Sequence, residues 1–398
     1  MNRFYLDVHA LQTVPPSNLN RDDTGAPKTA VYGGVPRARV SSQAWKRATR
    51  SYFEEEQLLD PGELGVRTKK IVEVIADRIA SADTSLEGGP AQQLAAEVVQ
   101  AAGLKIEVPK RKADAASKNG DSEPLAEAKY LMFLSSRQLD GLAELAVEGA
   151  VDSKAFFKEK KNKDRAKALA DIRHSVDIAL FGRMVADVTD INVDAAAQVA
   201  HAISVHRVEN ESDYYTAVDD RNKDDEPGAG MIGTVDFNSA TLYRYAALGI
   251  HQLAHNLGQG LREDESKTTP VRRAVEAFVR SFVESLPKGK INTFGNHTRP
   301  EAVIVKLRTT RPVSFVSAFE EPVRGGQGGR VREAVERLAE YIPDIERTYG
   351  DEASTLTWVL RVGPNTQKLS GIGTEAETIG DLTAAVGRAV AERLDTPA

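Results

Sequence analysis

Between Thr24 and Phe53 the chain carries Lys28, Arg37, Arg39, Lys46, Arg47 and Arg50 and no acidic residue. Most protein surfaces interleave both signs, so that neighbouring fields cancel; a stretch of one sign points to a polyanion as its ligand. Just upstream, Asp22 and Asp23 in NLNRDD have the chemistry to hold a metal beside a phosphate. Loop aspartates more often make turns and caps, and that is the reading adopted for them. His251 and His255 stand four apart, a spacing that would put two imidazoles on one helix face, but Gln252 sits where a zinc protease needs Glu and no third ligand is indicated. His201 and His206, five apart, read as structural. Nucleophile-elbow, phosphate-loop and dinucleotide signatures are absent, and the prediction is no catalytic residue, no metal and no cofactor. The glycine-rich RGGQGGR at 324–330 could wrap phosphates through backbone N–H groups, yet a flexible linker is the expected role. For Tyr214 and Tyr215 core packing is the default, with base stacking the alternative if that segment meets nucleic acid.

The whole chain tempers the local signal. Its 398 residues hold 52 Lys and Arg against 58 Asp and Glu, a net charge of −6, which argues weakly against nucleic-acid binding. With no cysteine, disulfides, thiolate zinc sites and thiol nucleophiles are excluded. The start, MNRFYLDVHALQTV, puts Asp7 and His9 where a signal peptide needs apolar residues, and no run approaches a bilayer span. A soluble cytoplasmic protein is the expectation.

Several elements must position these groups. Phe4–Ala10 alternates with period two and predicts a strand. After the loop PPSNLNRDDTGAPK come extended stretches at Ala30–Tyr32 and Pro36–Val40 around Gly33-Gly34, then a helix capped by Ser41 or Ser42. On that helix Trp45, Ala48 and Tyr52 should be buried, while Gln43, Lys46, Arg47 and Arg50 form a basic stripe on the other face. Residues 60–188 read as a helical insertion with an exposed connection at 103–127, and its lysines at 154, 158, 160, 161, 163 and 167 as a solvated face. Between Ile191 and Tyr245 the pattern returns to β, split by the polar tip DDRNKDDEPGAGMIG, which should project as an arm. Helices at 247–257 and 269–286, a strand at Ala302–Leu307 and amphipathic C-terminal helices complete the prediction.

Asn20-Arg21-Asp22-Asp23, Gly33-Gly34 and R-x-R-V-S-S-Q-x-x-K-R-x-x-R at 37–50, followed by VDIALFGRM at 176–184, AHAISVHRVENESDYYTAVDD at 200–220, F-x-S-x-x-x-Y-R-Y at 237–245 and SAFEEPV at 317–323, carry a resemblance. Together they make the chain similar to the CasC-type backbone subunit of the type I-E CRISPR Cascade complex, from residue 1 to about 325. The resemblance implies an α+β fold shaped like a hand. An RRM-like (ferredoxin-like) palm would comprise 1–59, 189–208 and 241–398, with helical fingers at 60–188 and a β-hairpin thumb at 209–240. It implies a protein that binds CRISPR RNA and oligomerises along it as a helical filament, presenting the guide to target DNA in antiviral defence. Its further partners would be the large and small subunits, the 5′-handle-binding subunit and the RNA-processing endonuclease of the complex, with no membrane. RNA-binding positions carried over are Arg21, Lys28, Ser41, Gln43, Lys46 and Arg50, with Met184 as an apolar wedge and Tyr215 and Thr216 at the base of the thumb; Met231 and Ile232 are possible insertions. Lysines of the fingers would approach target phosphates. The family member is expected not to be an enzyme; the alternative is a metal-dependent ribonuclease, as in type III backbone subunits, using Asp22 or Asp23.

Overall fold

The alternation that begins at Phe4 continues beyond Ala10: strand β1 spans Tyr5–Ser17. A hairpin of β2 (Thr29–Tyr32) and β3 (Val35–Val40) follows, then helix α1 (Ser42–Glu55). The computed structural model describes residues 3–119, 124–171, 175–184, 192–217, 231–258, 266–326, 329–351 and 355–396. They form two compact units, one of Met1–Leu58, Ala197–His251 and Arg272–Ala398, the other of Leu59–Ala196 and Gln252–Val271.

Along the second unit run β4 (Gly65–Thr68), α2 (Ile71–Ala82), α3 (Gly89–Ala101), β5 (Ile106–Glu107), α4 (Lys110–Asn119), β6 (Glu127–Ala128), β7 (Met132–Ser135), α5 (Ser136–Glu148), α6 (Ser153–Phe156), α7 (Lys160–Asp171) and α8 (Val176–Phe181). The chain continues through β8 (Ala197–Val199), β9 (Ala202–Ser204), β10 (Glu211–Ala217), β11 (Met231–Gly249), α9 (Ile250–Gly258), α10 (Thr269–Glu284), α11 (Ile291–Phe294), β12 (Ala302–Arg308), α12 (Gly329–Tyr349), β13 (Leu356–Arg361), β14 (Thr374–Glu375) and α13 (Ile379–Asp395). The class is mixed α+β, as expected: one large sheet with helices beside it.

In the first unit the sheet order is β14-β13-β12-β1-β11-β9-β3-β2, with β8 and β10 also paired to β11. β1 lies at its centre, antiparallel to both β11 and β12, and Leu6–Gln12 are buried without a break, so alternation understates the strand. Leu11, Tyr243, Ile304, Phe315, Phe319, Leu338 and Val359 pack as one core; Val14, Val40, Trp45, Ala202 and Leu242 belong to another. Charges are buried too. Arg308 pairs with Asp7 at 2.8 Å and with Glu346 at 2.7 Å, while Lys306 holds Glu346 at 3.0 Å. Burial pushes the Asp7 carboxyl up to about 6, against the opposing pull of the Val313 N–H and the Arg308 guanidinium.

In the second unit Ile75, Ile79, Leu94, Val98, Leu139, Leu142 and Ala166 form the core between α2, α3, α5 and α7. The apolar 3.6-residue period locates α2, α3 and α5, and α7 coincides with the lysine run read as a solvated helix face; of the expected stretch 171–184 only Asp171, which ends α7, and Val176–Phe181, closed by Gly182 at φ 78°, are helical among the described residues. The connection at 103–127 holds α4 and the small pair β5–β6, too short or too polar for periodicity to show. The lysines of 154–167 are exposed, as a solvated face requires.

The β2–β3 turn depends on two glycines. Gly33 and Gly34 have φ of 58° and 75°, the pair of left-handed residues that a two-residue hairpin favours. A Cβ on Gly33 would lie 1.7 Å from the Glu320 carbonyl oxygen, whereas one on Gly34 meets nothing within 4 Å. Gly34→Ala should therefore cost only the left-handed penalty, about 1–2 kcal/mol, and Gly33→Ala distinctly more, because the 320 backbone must move. Thermal unfolding of the two variants checks the ranking; equal midpoints would contradict it.

Candidate nucleic-acid interface

Helix α1 starts where Ser41, at φ −66° and ψ 148°, accepts the Ala44 N–H on its hydroxyl at 3.3 Å. No acid occupies the first turn, so the remaining N–H groups at this end face outward unneutralised. The buried face is Trp45, Thr49 and Phe53, a correction to the expected Trp45, Ala48 and Tyr52: Ala48 and Tyr52 are half-buried, and the Tyr52 hydroxyl donates to Glu284. Gln43 and Arg47 are exposed and Lys46 and Arg50 half-buried, so the basic stripe lies on the face opposite the aromatics.

What fixes the helix is Arg244. Its guanidinium carbon sits 3.8 Å from the Trp45 ring centroid and 4.8 Å from that of Phe282. Its nitrogens donate to Gln12 Oε1 and to the carbonyls of Phe282 and Val283. Burial alone pulls this guanidinium down to about 9.

Beside the helix N-terminus, loop 18–28 is tied down by its own polar groups. Asn18, fully buried, donates to the Gly25 and Asp236 carbonyls at 3.0 and 2.8 Å. Asn20 accepts the Ser41 N–H on Oδ1 at 2.9 Å and the Lys28 N–H on its carbonyl at 2.9 Å. Asp22 Oδ1 takes the Thr24 N–H, the Thr24 hydroxyl and the Ala26 N–H at 2.7 to 3.0 Å, bonds that hold its carboxyl below the ordinary value, with the Thr24 hydroxyl foremost. This is the turn-making role expected of it. An open polar cleft of about 520 Å³ runs along Leu19–Gly25 and Gly289. Arg21 and Asp23 are exposed there, and Lys28 is half-buried. Among the described residues Arg21, Lys28, Lys46 and Arg47 take part in no ion pair.

Two of the six cations leave or reshape the stripe. Arg37 is fully buried, donating to the carbonyls of Tyr32, Ser204, Phe319 and Glu320; it locks the hairpin to the sheet and contributes nothing to a surface patch. Arg39 lies at the surface, its Nε donating to the Thr29 carbonyl and its Nη1 3.2 Å from His201 Nδ1. Sequence reasoning places Arg47 in the basic stripe and Arg39 in the acid-free stretch, but neither, nor His201, is among the RNA-binding positions that the resemblance implies.

The remaining predicted positions lie elsewhere. Tyr215 and Thr216 are on β10, which pairs with β11 in the register Tyr215↔Gly233 and Thr216↔Ile232. Tyr214 and Tyr215 are 60% and 42% exposed, so the core-packing default fails for both. The Tyr215 ring covers Gly233, where a Cβ would lie 2.5 Å from the phenol oxygen. The arm's tip, 218–230, is outside the described residues, as are the side chains of Met231 and Ile232. Met184, in the second unit, is 87% exposed, which rules out the core alternative. His251 stacks edge-on against Tyr5 on α9, the helix that also carries His255, and no cluster suited to a metal occurs among the described residues. The Arg324 and Gly325 N–H groups of the glycine-rich loop donate to Glu333, so an internal carboxylate occupies these donors.

His206 is buried as a structural residue: its Nε2 accepts the Thr241 N–H at 3.1 Å and its Nδ1 donates to the Arg207 carbonyl at 2.7 Å. Burial, more than the nearby Arg330 and Arg37, lowers it to about 4. The folded state thus binds fewer protons than the unfolded one between pH 4 and 6.5, and stability falls as pH drops through that window. In urea titrations at pH 7 and pH 5, His206→Gln should lose less stability on acidification than the parent; an equal loss would refute the assignment.

Residues 6–385 match the model of a family described as CT1975-like protein. The chain is similar, at 33% identity and a TM-score of 0.81, to a chain of a solved structure described as a CRISPR RNA-guided surveillance complex in a pre-nicking state, covering 97% of this chain and 100% of that one. A chain of another CRISPR RNA-guided surveillance complex is similar at 29% identity and a TM-score of 0.70, covering 97% and 99%. No curated protein matches. No helix among the described residues is long and apolar enough to cross a membrane.

Proposed function

The chain belongs to the CT1975-like family, and from that premise we propose that it is a CRISPR RNA-binding backbone subunit of a type I-E Cascade surveillance complex, several copies of which stack along one guide. The observation that carries this reading is the stripe of α1, a row of cations beside a Ser41-capped helix terminus with no acid in its first turn, mounted on a buried Trp45–Arg244 stack. Arg and Lys suit phosphate oxygens, Ser and Gln suit phosphate or 2′-hydroxyl, and exposed helix N–H groups favour an anion. Arg21, Lys28, Ser41, Gln43, Lys46 and Arg50 would grip the ribose-phosphate chain, Met184 would lie against a kinked nucleotide, and the β10–β11 arm, with Tyr215 and Thr216, would fold over the RNA. Base pairing with target DNA then reads sequence, and the protein handles charge and shape. The large, small, 5′-handle-binding and RNA-processing subunits would complete the particle in the cytoplasm.

The same proposal makes the chain a non-enzyme. Supporting it, Asp22 spends one carboxylate oxygen on three bonds within its own loop. Complementary RNA incubated with the guide-loaded protein and magnesium should stay intact; regularly spaced fragments would establish the ribonuclease instead.

Each phosphate contact releases counterions, so binding should weaken steeply with salt. Replacing Lys46 and Arg50 together by Ala should flatten the log–log salt slope by about 1.4, two contacts at roughly 0.7 each for a single strand. An unchanged slope for this double variant, measured by RNA anisotropy, would overturn the stripe assignment.

A further inference from the structure

His201 sits in the two-residue link between β8 and β9, exposed, at the surface where the first unit gathers its cations. Its position is set by backbone pairing: Ala202 and Ile203 face Val40 and Arg39 across β9 and β3, and the Ala200 N–H donates to the Tyr245 carbonyl at 3.0 Å. Arg39 reaches it with Nη1 at 3.2 Å while its Nε is held by the Thr29 carbonyl. A guanidinium can only donate, so Nδ1 of the imidazole accepts, and its single proton is on Nε2. Arg39 has no carboxylate partner among the described residues.

We propose that His201 and Arg39 form a further phosphate-binding pair for single-stranded RNA, in which arrival of a backbone phosphate at Arg39 is coupled to uptake of one proton by His201. The inference rests on the RNA-binding reading above and adds to it a site outside α1 and loop 18–28. In the free protein, partial burial and then the charges of Arg39 and Lys28 hold the imidazole below its ordinary value. The charges that act on it, those of Arg39 and Lys28, are of one sign. β3 presents Arg39, the residue before β2 is Lys28, and α1, packed near β8, carries Lys46, Arg47 and Arg50 with no acid before Glu54. A phosphate that engages Arg39 cancels much of that field and draws Nη1 away from Nδ1. The freed nitrogen can then take a proton, and the imidazolium adds a second cation to the phosphate. The sign follows: the complex binds more protons than the free protein, so affinity rises as pH falls through the window between the free and bound values of His201.

The test uses the full-length protein and an unstructured single-stranded RNA. Carbon-13 labelled histidine should show the His201 resonance titrating at higher pH with RNA than without. The dissociation constant should tighten between pH 8 and pH 6, by at most about tenfold per pH unit for one proton. His201→Gln should abolish that dependence, and His255→Gln, on α9, should retain it. RNA that binds with the His201 titration unmoved, or a slope that survives in His201→Gln, overturns the pair and leaves the RNA-binding reading standing. Failure of RNA to bind at any pH overturns both.

Discussion

The arrangement of the cationic surface depends on a guanidinium placed where no charge should be comfortable. Arg244 lies buried against the Trp45 and Phe282 rings and gives its protons to two carbonyls and an amide oxygen, with no carboxylate partner among the described residues. Removing such a charge from water costs several kcal/mol, and ring faces together with carbonyl dipoles are what offset it. The result is directional. Trp45 is held by stacking as well as by burial, so α1 cannot roll about its axis without breaking that stack, and the stripe on its far side inherits a fixed bearing.

Arginine therefore has two vocations in this chain. Arg37, Arg244 and Arg308 are among its largest fully buried side chains and serve as rivets: Arg37 and Arg244 satisfy loop and helix-end carbonyls, and Arg308 meets Asp7 and Glu346. Arg21, Arg39 and Arg47 stay at the surface or close to it. The planar fork with five donors suits both tasks, which is why counting cations in a segment overstates the charge it presents. Of the six in the acid-free stretch, one is spent internally.

Much of this was legible in the sequence, for identifiable reasons. Long amphipathic helices such as α2, α3 and α10 announce themselves by period, and the extended stretches on either side of Gly33-Gly34 stand out, though their pairing as a hairpin does not. The Asp22 turn follows from ordinary aspartate chemistry. Legibility fails where tertiary partners decide. Thr49 and Phe53, rather than Ala48 and Tyr52, face the core because Arg244 and its carbonyls set the rotation of α1. β1 extends past Ala10 because neighbours on both sides bury it. β13 escaped notice since LTWVLR is six residues long and its partner lies about fifty positions away in β12. Tyr214 and Tyr215 look like core residues by type, and only the pairing of β10 with the outer part of β11 puts them in solvent. His201 carried no signal of its own; its relation to Arg39 spans 162 positions.

β11 is a single strand of 19 residues that begins opposite β10 and ends beside β1 in the middle of the sheet. Where the two regimes meet, the pairing of β1 slips between Val14 and Ser17 opposite Ala240 and Asn238, and Asn18 clasps the strand at Asp236. In mechanical language this is a cantilever: its root is embedded in the central sheet beside β1 and its outer length is stiffened by one companion strand. A load applied to the outer end is delivered as torque to the central sheet. Compliance of the arm is accordingly a property of the sheet's twist, and stiffening or softening the interior would retune it from a distance.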